Sequence, residues 1–283
     1  MKTFAGIPQK YAQLNNAKAI IVPIPYDGTS TWMKGADKGP KALLEAALNL
    51  ELYDIETQFE TFRHGIFLSK PIPILSNPKL TNNNIYRFTQ NLLKGDKLLA
   101  FIGGEHSISI GTIQAFKKKY SELSVVQFDA HADLRENYQG SEYNHACALH
   151  WANKNTDLHQ IGIRSMDISE KKWINSEKIV FSHQLTEDYN WQNLIKKLNE
   201  KVYITIDLDA LDPSIMPSTG TPEPGGMSWK QLISAIKTIS QNKSIVGFDI
   251  VELCPNGNSK PSEFLAAKLY YKLLSYKFKV KNG

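Results

Sequence analysis

The chain has 283 residues and the composition of an ordinary globular protein, with 42% hydrophobic and 22% charged residues. Its formal charge of +5 comes from scattered Lys and Arg residues without a nucleic-acid motif, so we predict a solvated surface and no nucleic-acid partner. The first residues lack the apolar core of a signal peptide, the apolar run 17–25 is too short and proline-rich to span a membrane, and only two cysteines occur; we predict a cytoplasmic protein without a membrane anchor.

Apolar, β-branched runs alternate with helical patterns along the whole chain. In chain order, the predicted strands are 19–25, 97–104, 124–129, 157–163, 178–182, 202–209 and 244–253. The predicted helices are 39–54, 82–94, 108–120, 169–175, 190–200, 228–241 and 262–275. Because the strands are apolar on both faces and are separated by helices, we predict a mainly parallel sheet covered by helices on both sides. The predicted fold class is α/β, a three-layer α/β/α sandwich, organised as a single domain over residues 1–283.

Acidic and imidazole side chains gather directly after four of the predicted strands. The motifs are GGEHS (103–107), FDAHADLR (128–135), DLDALDP (207–213) and VELCP (251–255). Their candidate side chains are His106, Asp129, His131, Asp133, Asp207, Asp209 and Glu252. Because ligands bind beyond the carboxyl ends of strands in open parallel sheets, we expect these side chains to meet at one edge.

Such a convergence creates an electrostatic problem that metal ions would solve. Carboxylates at this spacing repel one another, and burying a charge is costly unless another charge compensates it. Two imidazoles and several carboxylates suit Mn²⁺ better than they suit a metal that prefers thiolates. The sequence therefore predicts a binuclear metal site with His106, Asp129, His131, Asp133, Asp207 and Asp209 as its ligands.

The same motifs, with three more, resemble those of the ureohydrolases, the arginase and agmatinase superfamily. The additional motifs are PYDGTSTWMKGADKGPKAL (25–43), YNHACAL (143–149) and STGTPEPGG (218–226), and the last cluster extends to DIVELCP (249–255). The resemblance covers nearly the whole chain. The short length and the stretch DLRENYQGSEYNHA (133–146) are more similar to agmatinases than to arginases. The resemblance implies an arginase-like fold and a homo-oligomer, a trimer or a hexamer.

The resemblance also implies a reaction, the manganese-dependent hydrolysis of the guanidinium group of agmatine to putrescine and urea, a step of polyamine biosynthesis. A hydroxide that bridges two Mn²⁺ ions would attack the guanidinium carbon, since metal ions lower the pKa of bound water. By matching positions, one ion would be held by His106, Asp129, Asp133 and Asp207. The other would be held by Asp129, His131, Asp207 and Asp209.

Three residues are the implied catalytic candidates. Asp133 would take a proton and pass it on, and His145 is similar to the mobile acid/base histidine of the family. Glu252 would bind the small cationic guanidino substrate through a bidentate, charge-assisted pair.

The substrate-binding residues are predicted to be Glu252, His145, Arg135 and Asn144, with Arg135 on the side of the substrate's tail. Arg135 would disfavour a cationic tail unless an acid neutralises it, and Glu136 and Glu142, which lie nearby in sequence, are the candidate acids. The motifs leave open the same chemistry on another substrate, as in an arginase, a guanidinobutyrase, a guanidinopropionase or a formimidoylglutamase. A second class of function, a non-catalytic protein that binds a guanidino metabolite, is also open.

The two cysteines allow two interpretations, reactive thiols or buried packing residues. Cys147 and Cys254 each lie two residues beyond a predicted site residue, His145 and Glu252. Their thiols would be open to inhibitory oxidation if they faced the cavity, whereas buried thiols would act as apolar packing residues.

Overall fold

One parallel sheet organises the chain. The structure, a computed structural model, describes residues 2–257 and 260–279. Within these ranges the strands are β1 (Ala19–Ile24), β2 (Tyr53–Asp54), β3 (Phe59–Glu60), β4 (Ile66–Leu68), β5 (Leu98–Gly103), β6 (Leu123–Phe128), β7 (Asp157–Ile163), β8 (Ile179–Phe181), β9 (Lys201–Asp207) and β10 (Ser244–Val251). Eight of them form a sheet in the order β4-β1-β5-β10-β9-β6-β7-β8, with parallel pairing throughout, and β2 pairs with β3 in a separate antiparallel hairpin.

Helices cover both faces of this sheet. They are α1 (Gly39–Ala47), α2 (Pro78–Leu92), α3 (Ile108–Lys119), α4 (His150–Asn155), α5 (Gln192–Ile195), α6 (Trp229–Asn242) and α7 (Pro261–Phe278). Side chains of α1, α5, α6 and α7 pack in one core, and those of α2, α3 and α4 pack in the other. Among the described residues, none of the helices combines the length and the apolar character that crossing a membrane demands.

Strand β5 illustrates how the sequence pattern produces two cores. Its residues are apolar without interruption, and the side chains alternate between the two faces of the sheet. Leu98, Ala100 and Ile102 pack in the core of α1 and α7, while Leu99 and Phe101 pack in the core of α2 and α3. The predicted α/β class, the mainly parallel sheet and the three-layer sandwich are confirmed.

The predicted helix 39–54 was wrong after residue 47. Helix α1 ends at Ala47, and Tyr53 and Asp54 pair with the strand Phe59–Glu60 instead. The Asp54 carboxylate accepts a hydrogen bond from Thr57 N and lies 2.9 Å from Nζ of Lys272 on α7. This buried ion pair fixes a turn where the apolar pattern alone predicts a longer helix.

The other differences concern short elements. The predicted helix 169–175 is a 3-10 helix over Ile168–Trp173, and the predicted helix 190–200 is helical only over α5, Gln192–Ile195. Strand β4 and helix α4 were not predicted, because elements of three and six residues have too few positions to show a period.

A close approach of two loops supports the edge of the sheet where the motifs lie. Gly104 follows β5, and the next backbone N–H, that of Glu105, donates a hydrogen bond to the Tyr26 carbonyl at 2.8 Å. A Cβ atom on Gly104 would lie 1.9 Å from that carbonyl oxygen and 2.7 Å from two further backbone atoms of Tyr26. Only glycine therefore permits this contact.

We predict that Gly104→Ala lowers the free energy of unfolding by about 1–3 kcal/mol, because backbone atoms must move apart to admit the methyl group. Gly95→Ala is the matched control, since its nearest neighbour would lie 3.7 Å from the new Cβ, and its effect should stay within about 0.5 kcal/mol. Chemical denaturation of both variants measures the difference. Equal stability of the two variants would show that the loops separate without cost.

Candidate metal centre

The carboxyl ends of four neighbouring strands meet at one place on the edge of the sheet. Strands β5, β10, β9 and β6 lie side by side in that order, and each of the four motifs follows one of them. The motifs are far apart in sequence, but the parallel sheet brings their polar side chains together. This is the position that sequence reasoning predicts for a ligand site.

The first of two side-chain clusters surrounds the His106 ring. Nδ1 of His106 lies 3.1 Å from a carboxylate oxygen of Asp129 and 3.1 Å from one of Asp133, and 3.4 Å from one of Asp207. All four side chains are buried. Within the described ranges, this Nδ1 makes no hydrogen bond, so a buried imidazole nitrogen faces three carboxylates without bonding to any of them.

The second cluster surrounds His131. Its Nδ1 lies 2.9 Å from a carboxylate oxygen of Asp209 and 3.7 Å from Oδ1 of Asp129. Asp129 belongs to both clusters, because its Oδ2 faces His106. The two clusters thus share one carboxylate.

Hydrogen bonds hold these carboxylates in place. The Gln127 side-chain amide donates to Oδ2 of Asp129 at 2.7 Å, and the His131 backbone N–H donates to Oδ1 at 2.6 Å. The Ala130 N–H donates to Asp209 at 3.0 Å. The role of Gln127 in holding Asp129 was not predicted, although a polar residue inside an otherwise apolar strand was a signal for it. These bonds fix the orientation of the two carboxylates beside the imidazoles.

The electrostatics of the clusters call for a cation. Burial and the neighbouring carboxylates raise the pKa values of Asp129, Asp133 and Asp207. Burial would lower the pKa of His131, but the carboxylates led by Asp209 outweigh it and raise that pKa to about 11. In the protein alone, protons therefore offset part of the negative charge.

A pair of divalent ions fits these residues. The donor atoms are imidazole nitrogens and carboxylate oxygens, a set that suits Mn²⁺, and each cluster offers at least three of them within 4.8 Å of one another. An ion beside Nδ1 of His106 would give that buried atom the partner it lacks among the described residues. All six predicted ligands lie in or beside the two clusters.

Two of the site residues have a backbone conformation that non-glycine residues rarely adopt. Asp133 has a φ of +54° and Glu252 has a φ of +64°. Hydrogen bonds hold both residues there: the Asp133 carbonyl accepts from Leu149 N at 3.0 Å, and the Glu252 N–H donates to the Gly104 carbonyl at 2.8 Å. Such local strain is typical of functional positions whose surroundings determine the conformation.

A cavity of about 320 Å³ adjoins the clusters. Its wall includes His106, His131, Asp133 and Asp207, together with the predicted substrate residues Glu252, His145 and Arg135. The Glu252 carboxylate accepts a hydrogen bond from the His106 backbone N–H at 2.7 Å. That bond fixes one acidic side chain between the cavity and the first cluster.

His145 lies in the cavity wall, held by a residue that was not predicted. The Thr29 hydroxyl oxygen accepts from His145 N at 2.9 Å and lies 3.2 Å from Nδ1 of the ring. Burial lowers the pKa of His145 to about 4. The ring is therefore neutral at physiological pH.

The acid that faces Arg135 is Asp167, so the prediction of Glu136 and Glu142 was wrong. The Arg135 guanidinium lies 3.5 Å from an oxygen of Asp167 and 4.4 Å from the ring centre of Tyr138. Glu136 instead pairs with Lys172 at 2.9 Å. Glu142 lies beside Glu136 in a separate surface cavity. Asp167 comes from a distant loop, and no local pattern in the sequence connects it to Arg135.

Glu170, another residue that was not predicted, joins the loop that carries Arg135 to the loop that carries Asp167. Its buried carboxylate accepts from Leu134 N at 2.7 Å and from Asp167 N at 2.6 Å. The capping box over 167–170 was the local signal for it. Glu170 thereby sets the distance between Asp133 and Asp167.

Asn144 has a structural role beside the cavity. Its side chain is buried, accepts a hydrogen bond from Ala146 N at 3.1 Å and caps the 3-10 helix His145–Cys147. It does not line the cavity with its neighbour His145. Its amide oxygen thus satisfies a local backbone donor, and its contact with a substrate stays a prediction.

Both cysteine thiols are buried and neither lines the cavity. Burial raises the pKa of Cys147 to about 12 and also raises that of Cys254. This supports the packing interpretation of the two cysteines, because a reactive thiol needs a lowered pKa and exposure.

Comparison with known proteins agrees with this architecture. The arginase family model matches residues 17–275. The N(1)-aminopropylagmatine ureohydrolase of Synechocystis sp. is 35% identical over 277 residues, which cover 92% of this chain and 89% of that protein. The agmatinase of Pyrococcus horikoshii is 32% identical over 266 residues, covering 91% of each chain.

A solved structure extends the likeness to three dimensions. The agmatine ureohydrolase of Thermoplasma volcanium superimposes with a TM-score of 0.86 at 27% identity, covering 99% of this chain and 95% of that one. The predicted arginase-like fold and the resemblance to the ureohydrolases are confirmed. The protein is a hydrolase that belongs to the arginase family.

Proposed function

We propose that the protein hydrolyses the guanidinium group of agmatine to putrescine and urea, with two Mn²⁺ ions bound to the two clusters. The observation that carries the proposal is the pair of His–Asp clusters, which share Asp129 at the wall of a cavity that also contains Glu252. The relatives named agmatinase and aminopropylagmatine ureohydrolase support it. A non-catalytic binder would not need both clusters.

The six clustered side chains would hold the ions. His106, Asp129, Asp133 and Asp207 would bind one, and Asp129, His131, Asp207 and Asp209 would bind the other. When bound, two divalent ions would supply a nucleophile at neutral pH, because they lower the pKa of bound water to about 7.

The chain's own residues bind the guanidinium and move protons. The Glu252 carboxylate faces the cavity and accepts guanidinium N–H groups, which fixes the carbon beside the clusters. The Asp133 carboxylate accepts a proton at Oδ1, the oxygen that is left when Oδ2 faces the first cluster. The neutral His145 ring accepts a proton from the cavity and returns it to the departing amine, since Thr29 holds the ring at the wall.

The far end of the cavity suits an amine. Asp167 offers a carboxylate to an ammonium group and also neutralises Arg135. Trp32 and Met166 line the same cavity with 77% and 39% of their surface exposed, so they provide apolar contacts for a methylene chain at the solvent side. A substrate with a cation at each end thus meets acids at each end.

N(1)-aminopropylagmatine is the second candidate substrate. Four of the relatives, at 32–35% identity, carry the name of its ureohydrolase. The exposed Trp32 and the partly exposed Asp167 border solvent, so an aminopropyl extension of the tail has room to leave the cavity there. A cytoplasmic location and a trimeric or hexameric assembly remain predictions from the sequence.

Urea release tests the proposal. The protein is stripped with a chelator, reloaded separately with Mn²⁺, Zn²⁺ and Mg²⁺, and assayed for urea with agmatine, N(1)-aminopropylagmatine, arginine, guanidinobutyrate and guanidinopropionate. Hydrolysis of formimidoylglutamate releases formamide in place of urea, so this substrate is assayed by formamide release. We expect Mn²⁺ to restore the highest kcat/KM, with one of the first two substrates at least about tenfold above the rest. Asp129→Asn, which alters the carboxylate that both clusters share, is the inactive control. Absence of urea from every pair of metal and substrate contradicts the proposal.

We predict that Asp167→Asn raises KM for agmatine roughly 3- to 10-fold, because the substrate ammonium loses an anion and meets an unpaired Arg135. KM for guanidinobutyrate should fall in the same variant. Asparagine preserves the helix cap that Asp167 provides. Glu136→Gln is the matched control, since Glu136 pairs with Lys172 away from Arg135. Equal effects of the two variants on KM would show that Asp167 does not face the substrate.

We predict that His145→Asn lowers kcat about 10²-fold or more but leaves the shape of the pH profile between pH 6.5 and 9 unchanged. Burial lowers the pKa of His145 to about 4, so the ring is already neutral throughout this range and bound cations would lower its pKa further. Steady-state rates of the manganese-loaded enzyme measure both effects. The exposed His183 provides a control variant, His183→Asn. The neutral state assigned to His145 would be contradicted if the parent and His183→Asn showed a titration near pH 7 that His145→Asn lacked.

A further inference from the structure

A chain of buried hydrogen bonds links strand β10 to the His106 ring. Nε2 of His106 lies 2.9 Å from the hydroxyl of Thr205 on β9, and that hydroxyl donates to Oδ1 of Asp249 on β10. The other oxygen of Asp249 accepts from Tyr203 at 2.6 Å and from Ser109 at 3.0 Å. Every member of this relay is buried.

The directions of these bonds follow from the chemistry of the groups. An ionised carboxylate only accepts, and Asp249 receives three hydroxyl donors. Thr205 has a single hydrogen, which it gives to Asp249, so its oxygen must accept from Nε2 of His106. In the neutral ring the hydrogen therefore sits on Nε2, and the lone pair sits on Nδ1, the nitrogen that faces the three carboxylates of the first cluster.

We propose that Thr205 and Asp249 are positioning residues that hold the His106 ring in this tautomer and orientation, and that they set the affinity of the ion bound at the first cluster. The inference rests on the metal centre of the proposed function. Outer hydrogen bonds to a ligating histidine fix its tautomer and increase its basicity, and losing them costs about 10- to 100-fold in metal affinity.

The second cluster provides an internal reference. The His131 side chain is 25% exposed, and its Nε2 lies 3.7 Å from Glu223, an acid that is itself partly exposed. Thr205 and Asp249 make no hydrogen bond to His131 within the described residues. Breaking the relay should therefore weaken the binding of one ion much more than that of the other. General damage to the fold would weaken the binding of both ions.

Thr205→Val tests the relay, because valine keeps the shape of threonine and removes its hydroxyl. Thr205→Ser keeps the hydroxyl and serves as the rescue variant. Thr89→Val is the matched control, since Thr89 is equally buried and its hydroxyl has no hydrogen-bond partner among the described residues. Asp249→Asn breaks the relay from its other end and replaces Thr205→Val if that variant does not fold.

Isothermal titration of chelator-stripped protein with Mn²⁺ alone measures the affinity of each ion, and ¹⁵N chemical shifts of labelled histidine in the Zn²⁺-loaded protein report the tautomer. We expect Thr205→Val or Asp249→Asn to weaken one ion about 10- to 100-fold and the other less than about 3-fold. Thr205→Ser and Thr89→Val should stay within about 3-fold of the parent for both ions. The His106 Nε2–H signal should shift only in the relay variants.

Two results would overturn the inference: parental affinity for both ions in the relay variants, or an equal loss at both. A parent protein that binds fewer than two ions would overturn it together with the metal centre. Selective loss of one ion in a protein that releases no urea would leave the relay established and reject only the proposed activity.

Discussion

The concentration of buried carboxylates at one edge of the sheet is the constraint on which the rest of the structure depends. Asp129, Asp133 and Asp207 face a single imidazole nitrogen from three directions. No apolar core can accommodate such charges without compensation. The surrounding donors, among them Gln127 and the backbone N–H groups, orient the oxygens, but they do not cancel the charge. The fold therefore provides a preorganised cluster of carboxylates whose charge protons or cations must compensate.

Parallel pairing is what makes this concentration possible. Because neighbouring strands point the same way, their carboxyl ends deliver side chains from remote parts of the sequence to one edge. The glycine after β5 then lets the loop at Tyr26 approach closely, and hydrogen bonds hold Asp133 and Glu252 at positive φ. Precision at the site thus comes from backbone contacts between loops, while the stability of the sheet comes from the two apolar cores on its faces.

The sequence predicts the sheet and the two clusters well because both have a local signature. Uninterrupted apolar runs mark buried strands, and acids at alternate positions mark a shared face, as at Asp207 and Asp209. The partners of Arg135 and His145 have no such signature, because Asp167 and Thr29 reach them through tertiary folding. Helix α1 was predicted too long for the same reason, since the Asp54–Lys272 ion pair forms between distant segments. Local chemistry is therefore predictable, but the contacts that complete it depend on the fold.

Asp249 is a charged residue within an apolar strand, a signal that is visible in the sequence but whose role the sequence does not reveal. Burying an aspartate in the middle of a strand costs free energy unless hydrogen-bond donors surround it. Only the structure shows that these donors are Thr205, Tyr203 and Ser109. The relay begins at Nε2 of the His106 ring, whereas Asp167 lies on a partly exposed loop that lines the cavity. In the proposed function, metal affinity and substrate choice would thus depend on separate parts of the molecule. Variation in the loop would change which substrate tail is accepted without disturbing the buried clusters.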